Sequence, residues 1–165
     1  MIKFLVMDVD GTLTDGKLYI GQDGEMFKTF DIKDGCGIKD ILPAINIIPI
    51  IITARCSKIL ENRCQELGIQ HLFQGVREKR IKLDEIISEF SRSEGIEYSY
   101  KNVAYIGDDI LDLQCMLPIK TCGGLIGCPR DAALEVLATS DFISSKNGGD
   151  GAVREFIEHL KTLAL

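Results

Sequence analysis

The chain has 165 residues, 45% of them hydrophobic, and its 19 basic and 25 acidic side chains give a formal charge of -6. That length suits one domain (1–165) around a single core. The negative balance argues against a broad nucleic-acid or anionic-membrane surface, while small anionic substrates stay open.

The first predicted element is a strand, Phe4–Met7, which runs into Asp8-Val9-Asp10-Gly11-Thr12-Leu13-Thr14. Carboxylates two residues apart at a strand's C-terminal end converge on one point, where a proton or a cation must separate them. Gly11 and the N–H groups and hydroxyls of Thr12 and Thr14, expected to be exposed, suit an anion. An Asp-rich turn after a buried strand is the alternative reading.

Residues 15–30 carry two short β runs around Gly21-Gln-Asp-Gly24, which predicts a hairpin placed to overhang the acidic turn as a flap. The apolar stretch 41–52 is broken by Pro43, Asn46 and Pro49 and is too short to span a bilayer. Its end predicts a second strand, Ile48–Ile52, delivering Thr53-Ala54-Arg55. Thr53 reads either as a helix N-cap or as a hydroxyl at the mouth of a site.

A helix over 57–67, a short strand over 72–74 and a helix over 78–94 follow. Lys79 falls at the start of that last helix, where a cation gains nothing from the macrodipole; it wants an anionic partner or solvent. The third strong strand, Val103–Ile106, ends in Gly107-Asp108-Asp109-Ile110-Leu111-Asp112. Helices over 110–116, 132–138 and 151–163 and a weak strand over 141–143 complete the order. Apolar strands alternating with helices predict an α/β fold, a parallel sheet covered on both faces, with ligands at the strands' carboxyl ends. No insertion is long enough for a cap domain.

Six cysteines (Cys36, Cys56, Cys64, Cys115, Cys122, Cys128) form no Cys-x-x-Cys pair, and residues 1–7 lack a signal-peptide pattern. A soluble protein with free thiols in a reducing cytoplasm is the expectation.

Asp8-Val-Asp10-Gly-Thr-Leu-Thr, Thr53, Lys79 and Gly107-Asp108-Asp109 resemble the four motifs of the haloacid dehalogenase superfamily of phosphotransferases. The resemblance implies a three-layer Rossmann-like sheet, with Asp8 as nucleophile and Asp10 as general acid and base. Thr53, Ala54 and Lys79 would bind the phosphoryl group. Mg²⁺ would be held by the Asp8 carboxylate, the Asp10 backbone carbonyl and Asp108. Asp109 and Asp112 would support the metal or Lys79, although Asp112 also reads as an ordinary exposed helix acid.

Three further segments resemble the small capless branch that includes 3-deoxy-D-manno-octulosonate (KDO) 8-phosphate phosphatases: Phe30 to Ile38, Arg55-x-Ser57 with Asn62-Arg63 to Ile69, and Gly148-Gly149-Asp-Gly151 with Arg154. This resemblance implies a sugar acid phosphate as substrate and a homotetramer in which a neighbour's hairpin covers the site. Thr12, Arg55, Arg63, Gly149 and Arg154 would contact substrate. Arg55, following the catalytic Thr, favours the eight-carbon sugar acid; a nine-carbon nononate 9-phosphate is the alternative. Cys128-Pro129-Arg-Asp131-Ala resembles a segment of domains associated with sialic acid activation and pulls towards that alternative. Thr53-Ala54-Arg55 departs from the usual Thr-Gly-Arg. A receiver-like domain fits less well, since its phosphorylated Asp lacks the second Asp two residues on. A silent assembly domain would have lost Asp10 or Lys79.

Overall fold

The computed structural model describes residues 1–163. Six parallel strands form one sheet: β1 (Phe4–Met7), β4 (Ile48–Ile52), β5 (His71–Phe73), β6 (Val103–Ile106), β7 (Leu125–Cys128) and β8 (Phe142–Ile143). Their order is β5-β4-β1-β6-β7-β8. The chain leaves β1 towards β4 and later returns to its other side at β6. The end of β1 is therefore the topological switch point, where such sheets bind ligands.

Both faces of the sheet are buried, as continuous apolar strands require. Leu5, Met7, Ile51 and Ile106 pack on one face with α3 (Lys58–Leu67) and α7 (Ala152–Leu163) through Leu60, Cys64, Phe156 and Leu160. Phe4, Val6, Ile50, Ile52 and Tyr105 pack on the other with α4 (Lys79–Glu94), α5 (Leu113–Thr121) and α6 (Leu134–Thr139). The predicted hairpin is present as β2 (Tyr19–Gly21) and β3 (Gly24–Phe27), antiparallel and separate from the main sheet.

Two segments of regular structure are absent from the predicted order, and one helix begins later than expected. Residues 32–44 are helical: α1 (Ile32–Cys36), a π-helical turn Gly37–Ile41 and α2 (Leu42–Ala44). The signal was Asp31, whose carboxylate caps α1 by accepting from the N–H groups of Lys33 (2.6 Å) and Asp34 (3.2 Å). Strand β7 carries Gly127, a residue that weakens a strand pattern. Glycine is needed because a Cβ there would lie 2.8 Å from the Phe156 ring. The helix expected over 110–116 begins at Leu113 instead, because the carboxylate of Asp112 turns back onto the N–H groups of Asp108 and Asp109.

Candidate active site

Register brings the catalytic candidates to one edge. Met7 stands opposite both Ile51 of β4 and Ile106 of β6. The residues that follow, Asp8, Thr53 and Asp108, therefore leave three adjacent strands side by side.

The acidic turn closes on itself. The N–H groups of Thr12, Leu13 and Thr14 all donate to the Val9 carbonyl, at 3.1, 2.9 and 3.1 Å. The hydroxyls expected to be exposed are consequently buried. Thr14 Oγ1 donates to the Val9 carbonyl (3.4 Å) and accepts from the N–H groups of Gly16 (3.2 Å) and Gly11 (3.3 Å). Thr12 Oγ1 donates to Asp108 Oδ1 at 3.4 Å. Gly11 has φ +92°, and a Cβ there would lie 2.0 Å from Asp108 Oδ2. Only glycine fits both the backbone and the approaching acid.

Lys79 opens α4 and points inward, with 2% of its side chain exposed. Its Nζ lies 2.6 Å from Asp8 Oδ1 and 2.7 Å from Asp112 Oδ1. The anionic partner that its position demanded is thus a pair of carboxylates. Asp112 is fully subscribed. Its Oδ1 accepts from Lys79 and from the Tyr105 hydroxyl (2.6 Å), and its Oδ2 from the N–H groups of Asp108 (3.0 Å) and Asp109 (3.1 Å). Asp109 is exposed, and its carboxylate accepts from the neighbouring Ile110 N–H at 2.7 Å.

The electrostatics call for a cation. Carboxylate oxygens of Asp8, Asp108 and Asp112 lie within 4.8 Å of one another. Burial lifts the Asp8 carboxyl to about 7, with Asp112 reinforcing and Lys79 opposing. Burial lifts Asp108 to about 8, with Asp8 and Asp112 reinforcing. Burial alone would pull Lys79 down, but Asp112 and Asp8 outweigh it and hold the ammonium charged. For all three carboxylates to be ionised beside one ammonium, two negative charges must be compensated, which a divalent ion does. The donors are all oxygens, so they fit a hard ion such as Mg²⁺. Because Asp112 has no lone pair to spare, Asp8 and Asp108 are the carboxylates of this group free to face such an ion.

Thr53 follows β4 with 2% exposure; its N–H donates to the Phe73 carbonyl (2.9 Å) and its carbonyl accepts from the Val76 N–H (3.0 Å). It is not an N-cap. That role belongs to Ser57, whose Oγ accepts from the Leu60 N–H. Ala54 is half-buried beside it and Arg55 is exposed, its Nε 4.0 Å from Asp10 Oδ2. Gly149 donates its N–H to the Thr12 carbonyl at 3.1 Å, laying the glycine loop on the acidic turn. Asp131 anchors that loop by accepting from the Gly148 N–H at 2.9 Å, which gives the 127–132 segment a structural use. Arg63 and Arg154 are engaged elsewhere. The first pairs with Glu66 (2.8 Å) against the Phe30 ring, the second with Glu158 (2.8 Å) and the Lys33 carbonyl (3.3 Å).

Two participants escaped the sequence reading. Tyr105 sits in an otherwise aliphatic buried strand, and a buried phenol needs a partner; that was its signal. Lys28, just past β3, places Nζ 2.5 Å from Asp10 Oδ1. Only the folded hairpin brings it there.

No family model matches the chain. A curated 3-deoxy-D-manno-octulosonate 8-phosphate phosphatase KdsC from Salmonella typhi is 39% identical over 159 residues, 96% of this chain and 79% of that protein. The crystal structure of the phosphatase of the same name from Yersinia pestis has a TM-score of 0.87 at 37% identity, covering 99% of this chain and 82% of that one. The Moraxella catarrhalis enzyme, solved with magnesium, phosphate and KDO, has a TM-score of 0.84 at 36% identity over 98% and 86% of the two chains. With its acids, threonine and lysine gathered at the switch point of this sheet, the chain belongs to the 3-deoxy-D-manno-octulosonate 8-phosphate phosphatase family of the haloacid dehalogenase superfamily.

Proposed function

We propose that residues 1–165 act as one Mg²⁺-dependent phosphatase domain that hydrolyses 3-deoxy-D-manno-octulosonate 8-phosphate through an aspartyl-phosphate on Asp8. The observation that carries the reading is the buried Asp8–Lys79–Asp112 arrangement with Asp108 beside it, at the sheet's carboxyl edge. The similarity to KdsC proteins supports the choice of substrate.

In this reading an Asp8 oxygen attacks phosphorus, forming one O–P bond as the ester P–O bond breaks. Asp10 gives its proton to the departing sugar alkoxide. It then takes a proton from the water that attacks the aspartyl-phosphate, so that inorganic phosphate leaves and the Asp8 carboxylate returns. Lys79, kept charged and aimed by Asp112, faces the phosphoryl oxygens with Thr53 and the Ala54 N–H. Magnesium, held by Asp8, Asp108 and the Asp10 carbonyl, supplies the charge neutralisation that lets a carboxylate approach a phosphate dianion. Arg55, exposed beside Asp10, is placed to receive the sugar acid's carboxylate as a planar fork.

The same reading includes a homotetramer with a neighbour's hairpin over each site, in the cytoplasm and without nucleic-acid or membrane partners. Support comes from the hairpin's exposed Leu18, Ile20, Met26 and Phe27, 45–64% accessible, an apolar surface suited to another copy. All six cysteines are free. Among the described residues no helix is long and apolar enough to cross a membrane.

The test is kcat/KM for the octulosonate 8-phosphate against the nononate 9-phosphates, for the wild type and Arg55→Met. The eight-carbon ester is expected to lead by at least about tenfold and to lose most of that lead in the variant. Equal rates for both sugars would remove Arg55 as the selector.

A further inference from the structure

The hairpin does more than overhang the acidic turn; it delivers a charge into it. Lys28 has 3% of its side chain exposed, a degree of burial that an ammonium tolerates only when paired. It is paired twice, with Asp10 Oδ1 at 2.5 Å and with Glu25 Oε1 at 3.0 Å. The other oxygen of Glu25 accepts from the Ser57 hydroxyl at 2.5 Å, and Ser57 Oγ is itself the cap of α3. A continuous polar line therefore runs from Asp10 through Lys28 and Glu25 to the helix that follows the Thr53 strand. The hairpin end of this line is stiffened by the Tyr19–Phe27 ring stack (4.4 Å between centroids) and by the Tyr19 hydroxyl donating to Asp15. Arg55 approaches Asp10 from its other oxygen.

Among the described residues, the hydrogen bond that holds the Asp10 carboxylate comes from the hairpin's Lys28, with Arg55 no nearer than 4.0 Å. Asp8 is held by Lys79, and Asp108 by the Thr12 hydroxyl. A proton donor contributes fully only if it stays within hydrogen-bond reach of the leaving oxygen.

We propose that Lys28 is a positioning residue: carried on the hairpin and braced by Glu25 and Ser57, it holds the Asp10 carboxyl group where the leaving alcohol departs. This rests on the reading of Asp10 as general acid given above. It makes the hairpin part of the proton-transfer apparatus as well as a cover.

The experiment uses two phosphate esters, the octulosonate 8-phosphate and p-nitrophenyl phosphate. An aliphatic alkoxide needs a proton to leave, whereas nitrophenolate does not. The readout is kcat/KM, which ends at alcohol departure and leaves out later hydrolysis of the aspartyl-phosphate. Lys28→Met is expected to lose about 30-fold or more on the sugar ester and no more than about threefold on the aryl ester. Glu25→Gln, which keeps the side chain's shape and the Ser57 hydrogen bond, is expected to show the same selective loss at smaller size, and it serves if Lys28→Met folds poorly. In an Asp10→Asn background, Lys28→Met should cost little more. Equal losses on both esters, or an undiminished loss in the Asp10→Asn background, would overturn the role of Lys28. Failure of the underlying reading looks different: the wild type would not turn over, or Asp10→Asn would leave the sugar ester unaffected.

Discussion

Lys79 Nζ lies 2.7 Å from Asp112 Oδ1, with neither side chain more than 2% exposed. Asp112 therefore serves the ammonium and two backbone N–H groups, and its nearness to Asp8 and Asp108 does not make it a metal ligand. Asp108→Asn is expected to abolish the rise in melting temperature that Mg²⁺ produces through binding the folded state, whereas Asp112→Asn keeps it while losing about 100-fold or more in kcat. Loss of the Mg²⁺ response in both variants would return Asp112 to the metal. Lys79→Met, which strands two buried carboxylates, should cost about 3–5 kcal/mol in denaturant titrations at pH 8.

The turn after β1 depends on one missing methyl group. Gly11→Ala must hold an alanine at φ +92° and displace an Asp108 oxygen 2.0 Å from the new Cβ. The backbone strain is of order 1–3 kcal/mol, and the displaced carboxylate should weaken Mg²⁺ binding. A melting curve with and without Mg²⁺ reads both effects. A variant with wild-type stability and an intact Mg²⁺ response would mean that Asp108 does not occupy this place.

Asp34 links α1 to the start of α7, accepting from the Arg154 N–H at 2.7 Å while its other oxygen is buried without a partner. Burial, opposed by the Arg154 N–H and reinforced by Asp31, lifts its carboxyl to about 7 from the ordinary 3.8. A raised acid favours folding while protonated, so this contribution is complete below the unfolded value and is lost as pH rises through about 7. Asp34→Asn keeps the acceptor and never ionises. It is expected to exceed the wild type in stability by about 2 kcal/mol at pH 8, with the gap closing towards pH 4. A gap independent of pH would contradict the assignment, and since the other acids are common to both proteins their titration cancels.

The fold was legible wherever the chain states its pattern locally. Strands β1 and β6 are uninterrupted apolar runs, β4 is a run of isoleucines around Pro49, and α3, α4 and α7 have helical spacing with start or stop residues. β7 was hidden by Gly127, which exists for the Phe156 ring across the layer, and α1 to α2 by Pro43 and a π turn that blur the period. The site was legible in part for the same reason. Asp8, Thr53, Lys79 and Asp108 each follow or open a recognisable element, so topology alone aligns them. Lys28 reaches Asp10 only through the fold of the hairpin, and the Asp112–Tyr105 contact only through the turn after β6. The buried hydroxyls of Thr12 and Thr14 were misread because the turn's closure on the Val9 carbonyl has no sequence period.

In the proposed mechanism Asp8 carries the phosphoryl group. Acid quenching during turnover of the octulosonate 8-phosphate with Mg²⁺, followed by mass spectrometry of the peptide containing Asp8, measures it most directly. A phosphorylated Asp8 is expected in the wild type, with both the adduct and phosphate release lost in Asp8→Asn. Robust phosphate release by Asp8→Asn, or a phosphoryl group found on another residue, would contradict it.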